Sequence, residues 1–167
     1  MHKIGDNVMY GANGVMTIVD IREESIGDVS RSYYVITPAI ARSDSLTFVP
    51  TDNEKLVGAM RPLLTKDQAL ALILGMKNPG YIDWIPENRP RSEFFKRILE
   101  SGEREMMVAM IHAINESAKR REAEGKKNFL SDENAKQKAE KILYSEFSIV
   151  FEIPEDQVGS YINNLLG

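Results

Sequence analysis

The hydrophobic pattern of this chain changes its period near residues 61–65, and this change constrains the fold more than any other feature. Before it, short β-branched runs such as "GVMTIVDI" and "SYYVITPA" are separated by turn residues. That pattern is typical of a small antiparallel sheet or barrel. After it, apolar residues recur at helical spacing. The sequence therefore predicts an α+β chain, with a β domain at 1–62 followed by a helical domain at 63–167.

The second part of the chain contains about five helical segments, which predict a compact all-α bundle. They are "TKDQALALILGM", "SEFFKRILESG", "EREMMVAMIHAINESAKRREAEG", "SDENAKQKAEKILYSEFSIVFE" and "PEDQVGSYINNLL". Thr65 and Ser131 are the predicted N-caps of two of them, because a hydroxyl can accept a hydrogen bond from an amide of the first turn. Pro154 is expected near the first turn of the last one. The methionines at 106–110 favour a core position over a flexible binding groove.

The segment "GANG" at 11–14 invites comparison with glycine-rich phosphate loops. It lacks the third glycine of the dinucleotide pattern and the Gly-Lys-Ser/Thr of a P-loop. It also precedes a strand, whereas both of those loops lead into a helix. The interpretation we favour is a hairpin turn in which Gly11 and Gly14 adopt positive φ.

Composition argues against several kinds of catalytic site. The chain has no Cys and two His, His2 and His112. A thiolate nucleophile, a disulfide and a standard zinc site are therefore excluded. The carboxylates are scattered through charge-mixed sequence, and none forms a recognisable acid–base pair. We expect a protein that is not an enzyme, with no cofactor, no metal and no small-molecule substrate.

The overall charge and hydropathy limit the partners. No apolar run approaches the length of a membrane span, and there is no signal-peptide pattern, so we expect a cytoplasmic protein without a membrane partner. The formal net charge is −4. Contact with nucleic acid would therefore depend on a local basic patch rather than on bulk charge.

Two such patches occur, and the first lies beside the single Trp of the chain. The stretch "DWIPENRPRSEFFKR" at 83–97 places Trp84 in a proline-containing loop. The basic residues that follow Trp84 are Arg89, Arg91, Lys96 and Arg97. The second patch comprises Lys119, Arg120, Arg121, Lys126 and Lys127. An aromatic wedge flanked by phosphate-binding cations is what distortion of a DNA base step requires. The alternatives are that Trp84 fills a structural seam and that the second patch is a solvated helix end.

The ordered motifs of the chain resemble the CarD/CdnL transcription regulators, which share a domain with the transcription-repair coupling factor. The opening "IGDNVMYGANGVMTIVDI" carries the family's spacing at Gly5, Asp6, Val8, Tyr10 and Gly14. "YYVI" and "LTFVPTDNEKLVGAMR" follow in order, the latter with Val49, Pro50, Val57, Gly58 and Arg61 in family positions. In the helical part, "ILESGE" and "NFLSDENAKQKAEKILYSEFSIV" are also similar, so the resemblance spans about residues 3–152.

This resemblance implies a specific function. The N-terminal domain would be Tudor-like and would bind the β subunit of bacterial RNA polymerase through an exposed strand edge. The candidate residues for this contact are Leu46, Thr47, Phe48, Val49 and Pro50. The helical domain would contact promoter DNA without sequence specificity at the upstream edge of the bubble, and so stabilise the open complex. The candidate residues for this contact are Trp84 as a wedge, with Arg89, Arg91, Lys96, Arg97, Lys119, Arg120 and Arg121 near phosphates. The alternative is an interaction module that binds polymerase or another partner by strand addition and does not contact DNA.

Two features depart from the family pattern. Phe48 stands in the edge strand, where relatives often carry basic residues on the polymerase-facing surface. The four residues Ile85–Asn88 also separate Trp84 from the first arginine.

Overall fold

The computed structural model describes residues 1–40 and 43–167. The chain divides into two compact units, an N-terminal unit at Met1–Leu63 and a helical unit at Leu64–Gly167. The first contains an antiparallel five-stranded sheet and the second contains helices. The predicted α+β fold class is therefore confirmed.

The sheet of the N-terminal unit has the strand order β4-β3-β2-β1-β5. Its elements are β1 (Asn7–Tyr10), β2 (Val15–Ile26), β3 (Val29–Pro38), β4 (Thr47–Pro50), a short helix α1 (Glu54–Gly58) and β5 (Met60–Pro62). Every neighbouring pair is antiparallel. Strands β2 and β3 are much longer than the others, and residues 21–31 of their hairpin are all exposed.

The turn between β1 and β2 is the "GANG" segment. Gly11–Asn13 form a 3₁₀ turn, and the Tyr10 amide donates to the Gly14 carbonyl at 2.9 Å. Gly11 has φ of 52° and Gly14 has φ of 75°, the left-handed region that a side chain disfavours. The segment is a hairpin turn, as the sequence predicted.

One face of the sheet forms the core of the N-terminal unit. Apolar residues from all five strands meet there because side chains alternate along a strand and one face collects every second residue. The buried members are Val8, Met16, Ile18, Tyr34, Ile36, Val49 and Met60. Leu56 and Val57 of α1 pack against this cluster. The sheet edge at β4 is thereby fixed to the core through Val49.

The helical unit contains five helices, in agreement with the predicted number. They are α2 (Lys66–Gly75), α3 (Asn88–Ser101), α4 (Arg104–Ala123), α5 (Leu130–Phe151) and α6 (Val158–Leu166). None of the helices among the described residues is long and apolar enough to span a bilayer. A 3₁₀ turn at Glu155–Gln157 precedes α6, and Pro154 caps that turn rather than the helix itself.

The predicted helix starts had different outcomes. Thr65 is the N-cap of α2: its hydroxyl accepts from the Gln68 amide at 3.1 Å, and the Gln68 side chain accepts from the Thr65 amide at 2.9 Å. This is a complete capping box. Helix α5, in contrast, begins at Leu130 with Phe129 as its N-cap. The assignment of Ser131 as the cap was wrong, because Phe129 carries the extended backbone that precedes the first turn.

The core of the helical unit is built mainly from α3, α4 and α5. Its buried residues include Phe95, Met107, Met110, Ile114 and Phe147. Two methionines of the Met-rich segment thus belong to the core as predicted, whereas Met106 is 38% exposed. Charged residues are buried in it too: Arg91 with Asp132, and Glu146 with the largely buried Arg104.

Candidate functional sites at the β4 edge and the Trp84 loop

Strand β4 is an edge of the sheet. It pairs with β3 from Tyr33↔Pro50 to Ile36↔Thr47, and no strand of the described chain pairs with its other side. An edge strand presents unpaired amides and carbonyls that another strand can bind. The structure thus places Thr47–Pro50 in the edge strand that strand addition would extend.

The register shows which backbone groups of β4 are free. The Thr51 amide donates to the Ser32 carbonyl at 3.0 Å. Hydrogen-bonded positions alternate along an antiparallel pair. Val49 and Thr47 therefore direct their amides toward β3, whereas the Phe48 amide and carbonyl are directed away from it. Pro50 has no N–H, so Phe48 supplies the amide that an incoming strand meets within β4.

The Phe48 side chain is 41% exposed, large for an aromatic residue. Tyr33 packs edge-on against it, with ring centroids 6.1 Å apart, and the Arg22 guanidinium lies 5.7 Å from its centroid. Arg22 is held by Asp20 at 3.2 Å. This arrangement presents an apolar ring within a charged rim, which is the usual composition of a protein-binding surface.

Two other residues border this edge. Leu46 directly precedes β4 and is 49% exposed, so it extends the apolar surface of Phe48. Arg31 binds Asp52 at 3.1 Å just beyond the end of β4. The hydrogen bond to Asp52 and its charge raise the pKa of Arg31 above the ordinary value. Arg31 therefore remains a cation beside the edge under all ordinary conditions.

Trp84 lies in the segment between α2 and α3 and is half-buried. One neighbour is Phe95 of α3, with ring centroids 6.2 Å apart. The other is Arg91, whose guanidinium carbon lies 4.6 Å from the Trp84 centroid, within the range of a cation–π contact. Trp84 is therefore seated against the helical unit, with part of its surface left open to solvent.

Arg91 organises the loop that separates Trp84 from the helix. Its side chain is 1% exposed, and it makes two hydrogen bonds to Asp132, at 2.9 and 3.0 Å. It also donates to the main-chain carbonyls of Ile85 and Pro86, at 2.9 and 3.1 Å, and to the Asn88 side chain. This placement corrects its assignment as a phosphate contact, because a buried and fully bonded guanidinium cannot reach a phosphate.

The two basic clusters meet on Phe129. Arg91 lies 4.9 Å from its ring centroid and Arg121 lies 3.9 Å from it. Arg121 also donates to the Lys127 carbonyl at 2.8 Å. A planar guanidinium stacks on aromatic faces in this manner. Trp84, Arg91, Phe129 and Arg121 thus form one continuous stack, which the sequence did not indicate because Phe129 belongs to neither cluster.

Several of the remaining cations are matched by nearby glutamates on the same helix. Arg89 lies 3.6 Å from Glu93, and Lys96 lies 3.9 Å from Glu100. On α4, Lys119 lies 3.2 Å from Glu116. These pairs are exposed and individually weak, yet they reduce the positive potential of each cluster.

Arg97 and Arg120 differ from these residues. Neither has a carboxylate partner within the part of the chain that the structure describes. Arg97 lies 6.0 Å from the Phe94 centroid. Arg120 borders a groove of about 200 Å³ that runs between residues 80–84 and α4. Trp84 lines the same groove, so the structure brings the two sequence-predicted residues together.

The helical unit contains further cavities. A cleft of about 510 Å³ is lined by residues of α2, α4 and the segment after α2, including Leu72 and Arg104. Within residues 1–40 and 43–167, no three His, Asp or Glu side chains are grouped as metal ligands would be.

Comparison with known proteins identifies the N-terminal unit. Residues 2–64 match the family model of the CarD-like/TRCF RID domain, where RID denotes the RNA polymerase-interacting domain. A search of curated proteins finds no match for the chain. The matched range ends where the helical unit begins, and it contains the free edge at β4. The N-terminal unit is therefore a CarD-like/TRCF RID domain, an RNA polymerase-interacting domain.

Proposed function

We propose that this protein regulates bacterial transcription by binding the β subunit of RNA polymerase through β4 and stabilising the promoter open complex through its helical unit. The protein would act in the cytoplasm, and its DNA contact would lie at the upstream edge of the bubble. It would act by binding and not as an enzyme, because a ligand with higher affinity for the melted state shifts the equilibrium toward that state.

The free edge at Phe48, inside the matched RID domain, carries the polymerase part of the proposal. An intramolecular hydrogen bond contributes about 1 kcal/mol net, so the two outward backbone groups of Phe48 give a modest affinity by themselves. Full burial of an exposed aromatic side chain of this size contributes about 1.5–3 kcal/mol, and less than half of that remains available at Phe48, which is 41% exposed. The ring and the backbone bonds are therefore expected to contribute comparably, with the backbone bonds fixing the register.

The DNA part is supported by Trp84 together with the unmatched cations Arg97 and Arg120. A contact that favours the open state by about 1–2 kcal/mol would shift the equilibrium about 5- to 30-fold. Contacts to phosphates and to the minor groove are largely insensitive to sequence. We therefore expect an effect at many promoters, with magnitude set by the intrinsic stability of each open complex.

The polymerase contact is tested by pulldown of the isolated β subunit with wild-type protein, Phe48→Arg and Ile26→Ala. Ile26 is an equally apolar and 80% exposed residue of the same unit, so it serves as the matched control. The expected result is loss of binding for Phe48→Arg alone. Equal binding by all three proteins would show that β4 does not make the polymerase contact.

The DNA contact is tested by the lifetime of promoter open complexes at equal polymerase occupancy. Trp84→Ala should shorten the lifetime. Trp84→Phe keeps an aromatic ring beside Arg91, so it is the control for a change in the structure of the loop. If Trp84→Ala gives the wild-type lifetime while β binding is intact, the DNA role is wrong.

A second candidate function is an interaction module that binds polymerase, or another partner, by strand addition without touching DNA. The observation in its favour is that Trp84 is half-buried beneath Arg91 and that several exposed cations face glutamates. Salt dependence separates the two. A DNA contributor loses affinity for the promoter complex steeply as salt rises, whereas an apolar strand contact at Phe48 does not.

A further inference from the structure

The groove between residues 80–84 and helix α4 brings aromatic rings and polar groups together in one concave site. Its lining includes the aromatic rings of Tyr81 and Trp84 and the polar groups of His112, Glu116 and Arg120. We propose that this groove binds a single unstacked nucleotide of a melted DNA strand, with the base against the aromatic rings and a phosphate at Arg120. This proposal rests on the DNA contact proposed above and specifies its site and its ligand.

The aromatic side chains are placed for stacking rather than for the core. Tyr81 is 87% exposed, although tyrosine rings are usually packed when they serve stability. Its neighbour Ile82 is only 9% exposed and anchors the segment to the helical unit. Gly80 also lies close to α4, because a Cβ added there would be in ordinary van der Waals contact with the Ala109 Cβ, at 3.7 Å. The backbone is therefore fixed while the Tyr81 ring is presented to solvent.

Trp84 forms a second wall of the groove and is packed against the helical unit. Arg91 lies over its ring at 4.6 Å and Phe95 packs nearby. A ring held in this way loses little entropy when a base stacks on its remaining exposed surface. Stacking of a base on an aromatic side chain is insensitive to the identity of the base, because every base has a π-face.

The charges of the groove fit a phosphate. Glu116 is matched by Lys119 at 3.2 Å, which leaves Arg120 as the unmatched charge of the lining among the described residues. An arginine with a free planar fork binds phosphate oxygens through paired hydrogen bonds. The local charge of the groove therefore favours an anionic ligand, although the whole chain is acidic.

The size of the groove favours a nucleotide over a larger ligand. Its volume of about 200 Å³ lies below the range of about 300–1,000 Å³ that is typical of sites for drug-sized molecules. It would admit one planar ring system but not a base pair. A duplex would have to give up a base to use it, so binding energy at this site is available only to melted DNA.

The test uses the fluorescence of Trp84, the only Trp of the chain, so that the signal arises at the proposed site. The full-length protein is titrated with a 12-nucleotide oligo(dT) single strand and, separately, with a 12-base-pair duplex. We expect quenching by the single strand at concentrations where the duplex has little effect. Equal quenching by both ligands, or none by the single strand, would overturn the proposal.

Three variants sharpen this test, with affinity measured by anisotropy of a labelled oligo(dT). Tyr81→Ala should weaken binding about tenfold, the order expected for one stacked base, and Arg120→Gln should weaken it to a similar degree. Arg97→Gln removes an equally unmatched cation outside the groove and should have a smaller effect. If Tyr81→Ala binds like wild type, the site is a polyanion patch and not a base site.

The outcome does not depend on polymerase, so it can be distinguished from failure of the proposed function. If Trp84→Ala loses open-complex stabilisation but the wild-type protein does not bind oligo(dT), the proposed function stands and the nucleotide site in the groove is wrong. If the wild-type protein binds oligo(dT) but Tyr81→Ala and Trp84→Ala leave the open-complex lifetime unchanged, the groove is a nucleotide site. It then has no role in promoter melting.

Discussion

The guanidinium carbon of Arg91 lies 4.6 Å from the centroid of the Trp84 ring while its nitrogens bind Asp132 of α5. The position of Trp84 is therefore determined by a helix that begins more than 40 residues later in the chain. Because Arg91 also binds the carbonyls of Ile85 and Pro86, the additional residues between Trp84 and Arg89 form an ordered connection. A loop lengthened in this way keeps a defined geometry.

Asp132→Ala should strongly destabilise the helical unit, because it leaves Arg91 buried without its counter-ion. Removing one partner of a buried ion pair typically costs about 3–5 kcal/mol. The measurement is urea unfolding followed by Trp84 fluorescence, which reports on this unit alone. Glu93→Ala, which removes the exposed partner of Arg89, is the control and should change stability by less than about 1 kcal/mol. Equal effects of the two substitutions would contradict the role given to the buried pair.

Phe48→Pro should bind the polymerase β subunit more weakly than Phe48→Ala. Both substitutions remove the ring, but proline also removes the amide that is directed away from β3. Proline is tolerated in an edge strand where its nitrogen faces outward, so the N-terminal unit should remain folded by circular dichroism. If the two variants bind equally, the partner contacts the side chain without pairing with the strand.

Thr65→Ala should destabilise the helical unit by about 1 kcal/mol, since it removes the hydroxyl that accepts from the Gln68 amide. The same urea titration measures the loss. Ser131→Ala is an informative comparison, because Ser131 is not a cap, and its substitution should be close to neutral. A loss for Ser131→Ala as large as that for Thr65→Ala would contradict the observed start of α5.

Tyr144 should make stability fall in alkaline solution. Burial, and then the charge of Glu140, raise its pKa above the ordinary value of 10.0. Above pH 10 the unfolded chain therefore releases the phenolic proton before the folded chain does, which favours unfolding until the folded pKa is passed. The folded pKa is measured from phenolate absorbance, with Tyr144→Phe as the reference. Glu140→Gln should lower the folded-state pKa of Tyr144. An unchanged pKa would show that burial alone raises it.

Local features of this fold follow from the sequence, while the environment of the loop does not. The "GANG" turn and the Thr65 cap depend on residues that lie within four positions of each other, and both were predicted. Arg91 looked like its neighbour Arg89 in the sequence, yet one is buried and the other is 92% exposed. What distinguishes them is Asp132, 41 positions away. Asp132 lies in the first turn of α5, where the helix dipole favours an acid whether or not it has a partner.

The same reasoning applies to the groove. Tyr81 and Arg120 belong to segments that the sequence treats as unrelated, and they become neighbours only because α4 packs against the connection between α2 and α3. A pattern of charges along one segment cannot show which cations are matched by glutamates. The selection of Arg97 and Arg120 from the two clusters therefore required the structure.

The exposed hairpin of β2 and β3 has a practical consequence for work on this protein. Residues 21–31 bury no side chain, and the hairpin reverses at Gly27 and Asp28. A fluorophore or an epitope inserted at that reversal would leave the core residues Ile18 and Tyr34 in place. Such a probe would follow polymerase docking at the same sheet without altering the strand that is proposed to make the contact.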